Sequence, residues 1–320
     1  MPSVTLHLVL ADRVLTRWQE TPGDAPFDPC DPSSINAFYQ GSVGPDLGYL
    51  PGGHRLLSDL SHLVRSGDLT RDLVSRAETE WERAFAWGWA AHVLADQAIH
   101  PLVGRAVGEL LWGDREIFAD GNQHQVPHVQ VETGLDVFYS QAFPEIRRRR
   151  MAPVFDAESI RFLVEAYRSI YALRTDPSVF LSSHLASVRL SVQGLMTIGV
   201  LATPLMAKPT APGSPAARWI LQGALALMRM GLRRDSVAMA FLTPTPPAPW
   251  LVERVNQQVE AFSDRFRHHY ETGLNELENF NLDTGEIQED PPTHLGTRRT
   301  LSALAKEGGT VFTGPGSLAA

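Results

Sequence analysis

Apolar positions along this chain recur mostly at helical spacing, three or four residues apart, and convincing period-two alternation is scarce. Four stretches carry the pattern most clearly: "HRLLSDLSHLV", "TRDLVSRAETEWERAFAWGWAAHVLADQAI", "SIRFLVEAYRSIYALR" and "WLVERVNQQVEAFSDRFRHHYETGLNELENF". Each is predicted to be a helix, the second and fourth as single continuous runs. Segments rich in Pro and Gly separate such runs, among them "TPGDAPFDPCDPSS", "GPDLGYLPGG", "TPLMAKPTAPGSP" and "TPTPPAPW". No repeat at a solenoid period is visible. The expectation is an all-α, multi-helix bundle. One domain is expected over residues 1–285, with helical additions in its C-terminal half, followed by a polar, loosely ordered tail over 286–320.

Composition changes this picture little. With 320 residues, 43% of them hydrophobic, the chain can bury a sizeable core. Its formal charge of −8 argues against nucleic-acid binding, which needs a basic face. The single cysteine, Cys30, rules out an intrachain disulfide and a multi-cysteine zinc ribbon. The first residues lack a basic stretch, and Asp12 and Arg13 interrupt the apolar run, so no signal peptide is expected. Leu190 to Met206 is the most membrane-like stretch, but its length, Gln193 and Pro204 favour a buried helix. A cytoplasmic protein without a transmembrane segment is therefore expected.

The candidate chemistry begins inside the most apolar run, "AFAWGWAAHVLADQAIHPLVG". His92, Asp96 and His100 stand four residues apart, so a helix lines them on one face. That helix is apolar nearly all round and belongs in the interior. An unpartnered carboxylate there would cost several kcal/mol. A hydrogen-bonded His–Asp pair is one solution; a metal ion shared by three ligand-type residues is the other, and three on one buried face favour the metal. Pro101 disfavours helical geometry at His100, which predicts that residue at the helix end.

"VPHVQVETGLDVF" repeats the spacing with His128, Glu132 and Asp136. A helix puts all three on one face; a strand would still keep His128 with Glu132. Pro127 suits a helix start. Asp136 reads as a residue that orients a ligand rather than binding metal. Asp46 sits in the glycine-rich turn "GSVGPDLGYL", where a carboxylate can also cap a helix or bond its own backbone. His54 and His62 follow it, and His7 stands just before the first helical run.

Taken together, the N-terminal His7, the "GxxGPD" turn, the helical His62, the "HxxxDxxxHP" helix and the "HxxxE" helix resemble the zinc-dependent phospholipase C family and, more distantly, the S1/P1-type nucleases. "FNLDTGE", Phe280 to Glu286, is similar to a closing motif of longer bacterial members. The resemblance implies an all-α fold holding two or three zinc ions. One would take Asp46, His62, His92 and Asp96; a second, His100, His128 and Glu132; a third, His7, with Asp96 bridging. His54 is the alternative to His62. Secreted members complete the third site with a processed N-terminal Trp, whereas here Met1 and Pro2 precede His7.

The implied activity is phosphodiester hydrolysis by metal-activated water, with Asp46 as general base. The substrate would be a small-molecule or phospholipid phosphodiester, reached through transient membrane-surface contact. A family member acting on a non-lipid substrate, and a metal-stabilised binding protein without turnover, are the rival readings. A di-iron bundle would need Glu-x-x-His motifs, which are absent. The run Arg147 to Arg150 could meet phosphate or an anionic lipid, or simply be solvated. "WILQGALALMRMGLRR" could line a pocket, and residues 208–215 could form a lid.

Overall fold

The computed structural model describes residues 4–146, 149, 151–189 and 237–311. It is all-α, and the only strands among these residues are two of two residues each. The helices are α1 (Val4–Glu20), α2 (Pro32–Gly41), α3 (Arg55–Leu63), α4 (Ser66–Arg76), α5 (Glu80–Trp112), α6 (Gln125–Ala142) and α7 (Arg161–Tyr171). Residues 177–189 are also helical, and later helices span Val237–Leu242, Pro249–Glu271 and Leu295–Lys306.

Helix α5 is the axis of the bundle. Its 33 residues extend about 50 Å at 1.5 Å per residue. α1, α2, α4, α6 and the Pro249–Glu271 helix all pack on it. Two glycines set the closest approach. A Cβ at Gly41 of α2 would collide with the Phe85 carbonyl, and one at Gly88 of α5 with the Phe38 carbonyl. The bare backbones therefore nest against each other. Around this crossing Trp18 meets Phe27, Phe38, Phe266 and Tyr270 edge-on, which joins α1 and α2 to the Pro249–Glu271 helix.

The run expected as one helix from Thr70 to Ile99 is in fact two. The Thr79 side chain accepts from the Glu82 N–H while Glu82 reaches back to the Thr79 N–H, so a capping box starts α5 there and separates it from α4. Similarly, the stretch from Trp250 to Phe280 is helical only to Glu271. Gly273 and the buried Leu274 then take left-handed backbone conformations that end it.

His7 lies inside α1 rather than before it. His100 also departs from expectation: α5 continues helically through Pro101 to Trp112, so His100 stays on the stripe with His92 and Asp96. Proline removes the N–H that would bond the Gln97 carbonyl but leaves the flanking turns intact. The stretch expected as a loose tail from 286 contains the helix Leu295–Lys306. The His294 side chain accepts from the Thr297 N–H to cap it, and Leu304 is buried beneath it. The membrane-like stretch Leu190 to Met206, the "WILQGALALMRMGLRR" stretch and the proposed lid at 208–215 lie outside the described residues, as do Arg147, Arg148 and Arg150. Arg149 pairs with Asp12 and lies over the Tyr39 ring, so it faces the protein. Among the described residues no helix is long and apolar enough to cross a membrane.

Candidate metal centre

Four helices and one turn bring the candidate ligands together. α1 supplies His7; α3, His62; α5, His92, Asp96 and His100; α6, His128 and Glu132; and the turn Gly44–Gly48 supplies Asp46. All eight are buried. Ser58 fixes the Asp46 turn onto α3, since its hydroxyl accepts from the Gly48 N–H at 2.7 Å and donates to the Pro45 carbonyl at 2.6 Å.

The ligand-type atoms fall into three groups, each within 4.8 Å: His7, His92 and Asp96; Asp46, His62 and His92; and His100, His128 and Glu132. Asp96 joins them. Its Oδ1 lies 3.1 Å from His7 Nε2 and 3.4 Å from His100 Nε2. Its Oδ2 lies 3.1 Å from His92 Nε2 and 3.4 Å from His62 Nε2. Glu132 Oε1 stands 3.0 Å from His128 Nε2 and 3.4 Å from His100 Nε2.

Two imidazoles are oriented from behind. His62 Nδ1 donates to the Ser58 carbonyl at 2.8 Å, and His92 Nδ1 to the Ser42 carbonyl at 2.9 Å. Each ring therefore turns a lone pair on Nε2 toward the carboxylates, the arrangement a metal-binding histidine requires. His7 stacks on His92 with centroids 4.0 Å apart.

These side chains fit a cation better than one another. Neither oxygen of Asp96 or Asp46 makes a well-aligned hydrogen bond, although imidazole nitrogens stand within 3.4 Å. Buried carboxylates left in that state are costly, and a divalent ion removes the cost. A small cavity opens between the groups, with His7, Asp96, His100 and Glu132 on its polar side and Leu6, Leu10, Ile99, Val103 and Leu135 on its apolar side.

The electrostatics agree. Burial disfavours a charged His62, yet Asp46 and Asp96 outweigh it and raise its pKa to about 10. Burial likewise opposes charge on His100, but Asp96 and Glu132 raise it to about 9. Burial works against the Asp96 carboxylate, and the imidazoles of His100, His92 and His7 still hold it well below the ordinary range. The centre thus attracts positive charge, which protons supply when no metal does.

His54 stays outside. It occupies the N-cap position of α3 without a side-chain capping bond, and its backbone N–H donates to Ser183 Oγ at 2.9 Å. Asp136, read as orienting a ligand, accepts from the Thr5 N–H at 2.7 Å and anchors the first turn of α1, the helix that carries His7. Asp283, which motif spacing missed, does reach the centre: its Oδ1 lies 3.8 Å from His100 Nδ1. The signal that pointed there was the "FNLDTGE" segment.

The fold and this centre define an all-helical protein with buried histidine–carboxylate clusters of the kind that hold metal ions. Residues 6–174, just over half the chain and the span containing all eight candidate ligands, match the family described as zinc dependent phospholipase C. The chain belongs to that family. No curated protein and no solved structure matches it.

Proposed function

We propose that this protein is a zinc-dependent phosphodiester hydrolase built as one unit over residues 1–285, with a phospholipid as the substrate class. The observation that carries the reading is Asp96: a buried carboxylate ringed by His7, His62, His92 and His100, with neither oxygen well hydrogen-bonded. In this reading Asp46, His62, His92 and Asp96 hold one ion, and His100, His128 and Glu132 a second. His7 with Asp96 offers a third position, so two or three ions are expected.

Zinc bound there supplies Lewis acidity and makes water a nucleophile near neutral pH. The chain supplies the rest. Asp46, whose oxygens make no well-aligned hydrogen bond, takes the proton of the attacking water as general base. The carbonyls of Ser58 and Ser42 hold the His62 and His92 rings in register. The apolar wall of Leu6, Leu10, Ile99, Val103 and Leu135 limits bulk water and strengthens charge interactions inside.

The test is metal analysis of purified protein, followed by hydrolysis of a chromogenic phosphodiester and of phosphatidylcholine, with and without chelator. Two to three equivalents of zinc and chelator-sensitive hydrolysis of both are expected. Less than one equivalent after zinc loading would sink the reading. Hydrolysis of the chromogenic compound alone would keep the phosphodiesterase and remove the lipid.

A further inference from the structure

We infer that Asp283, far outside the family-matched stretch, is a positioning residue for His100, and that residues 280–285 form a clip holding two ligand-bearing helices in register. This rests on the zinc reading above.

His62 turns Nδ1 onto the Ser58 carbonyl of its own helix, and His92 onto the Ser42 carbonyl just past α2. His100 has no such carbonyl. Its Nε2 faces Asp96 and Glu132, and its Nδ1 faces the Asp283 carboxylate at 3.8 Å. Histidine ligands generally present their second nitrogen to a carboxylate or carbonyl, which fixes ring orientation and raises basicity. Asp283 is the carboxylate on that side of the ring, at ion-pair distance and just beyond direct hydrogen-bond reach.

Its own position is set on every side. The Asp283 N–H donates to Asn281 Oδ1 at 3.0 Å, and the Asn122 amide donates to Asp283 Oδ2. The Leu282 N–H donates to the carbonyl of His62 at 2.9 Å, so the residue before Asp283 is tied to another candidate ligand. The turn closes at Gly285, with φ of 74°. A Cβ there would lie 2.6 Å from Pro101 Cγ and 3.3 Å from the Gln97 carbonyl. Only glycine combines that backbone with so close an approach. The clip thus touches α3 at His62 and α5 at Gln97, His100 and Pro101.

The test compares wild type with Asp283→Ala, Asp283→Asn and the exposed hairpin control Glu286→Ala. Zinc affinity is measured by competition with a chromogenic chelator, and the histidine ring N–H signals of the zinc-loaded proteins by NMR. Asp283→Ala is expected to weaken one equivalent of zinc 10–100-fold and leave the others unchanged. The ring N–H signal of His100 should shift with it. Asp283→Asn, which keeps an acceptor oxygen, should recover part of the affinity, and Glu286→Ala should match wild type. Wild-type affinity and an unmoved signal in folded Asp283→Ala or Asp283→Asn would overturn this inference alone. A wild type that takes up no zinc would overturn the zinc reading and this inference with it.

Discussion

The backbone N–H of Thr5 donates to Oδ1 of Asp136 across the bundle, at 2.7 Å. One bond therefore fixes the start of α1 on α6 and sets where His7 enters the centre. A carboxylate at a helix N-terminus also meets the positive end of the helix dipole. Asp136→Ala should lose about 1–3 kcal/mol in urea unfolding, because the Thr5 N–H is left buried without an acceptor. Zinc at the His7 position should weaken as well. A variant with wild-type stability would show that water or a neighbour replaces the bond.

The Gly41–Gly88 crossing has no slack. Both obstructing atoms are backbone carbonyls, so no side-chain rotation can relieve them. Gly88→Ala is expected to cost about 1–3 kcal/mol through overpacking. Because α5 carries His92, Asp96 and His100, the same change should lower zinc affinity. Thermal melts with and without zinc measure both effects, and an unshifted melting temperature would contradict the packing described.

Zinc binding should also appear as stability. A ligand that binds only the folded chain, present at a hundredfold excess over its Kd, adds about 2.7 kcal/mol. Chelator should therefore lower the melting temperature, and zinc should restore it. Asp96→Ala should abolish most of that response, since His7, His62, His92 and His100 all face its carboxylate directly. A melting temperature indifferent to zinc in the wild type would argue against any occupied site.

His184 provides a pH prediction away from the centre. It is buried against the edge of Phe155, its Nε2 has no hydrogen-bond partner, and burial lowers its pKa to about 4. Between roughly pH 6.5 and 4 the unfolded chain binds a proton that the folded chain refuses. Its contribution is thus fully favourable above pH 6.5 and falls as pH drops, by about 3 kcal/mol once both states are protonated. The stability difference between wild type and His184→Leu, followed by urea unfolding at several pH values, should change across that window. A constant difference would mean His184 finds a partner in acid.

Much of the centre was legible because its residues keep helical spacing. His92, Asp96 and His100 share a face by arithmetic alone, and the same holds for His128 and Glu132. The choice of His62 over His54 was not legible: it depends on the Ser58 carbonyl holding the His62 ring and on His54 preceding α3, with its backbone N–H tied to Ser183. The break at Thr79 was written in the sequence as Thr-x-x-Glu, but the apolar run on either side masked it. Asp283 was hidden for a different reason. The "FNLDTGE" segment marked its neighbourhood, but its role comes from a turn meeting α5 across a long sequence separation, which helical spacing does not record.

The clip also bears on when the centre becomes complete. As the chain leaves the ribosome, every candidate ligand through Glu132 is out well before Asp283 appears. The helices can gather and take up metal in that interval, yet His100 waits for a partner that is made long after Glu132. A fragment cut to the family-matched span would keep each ligand and lose that last contact. The working boundary of the centre therefore lies at Gly285, where the clip closes over Pro101, and not at the last residue able to bind a metal.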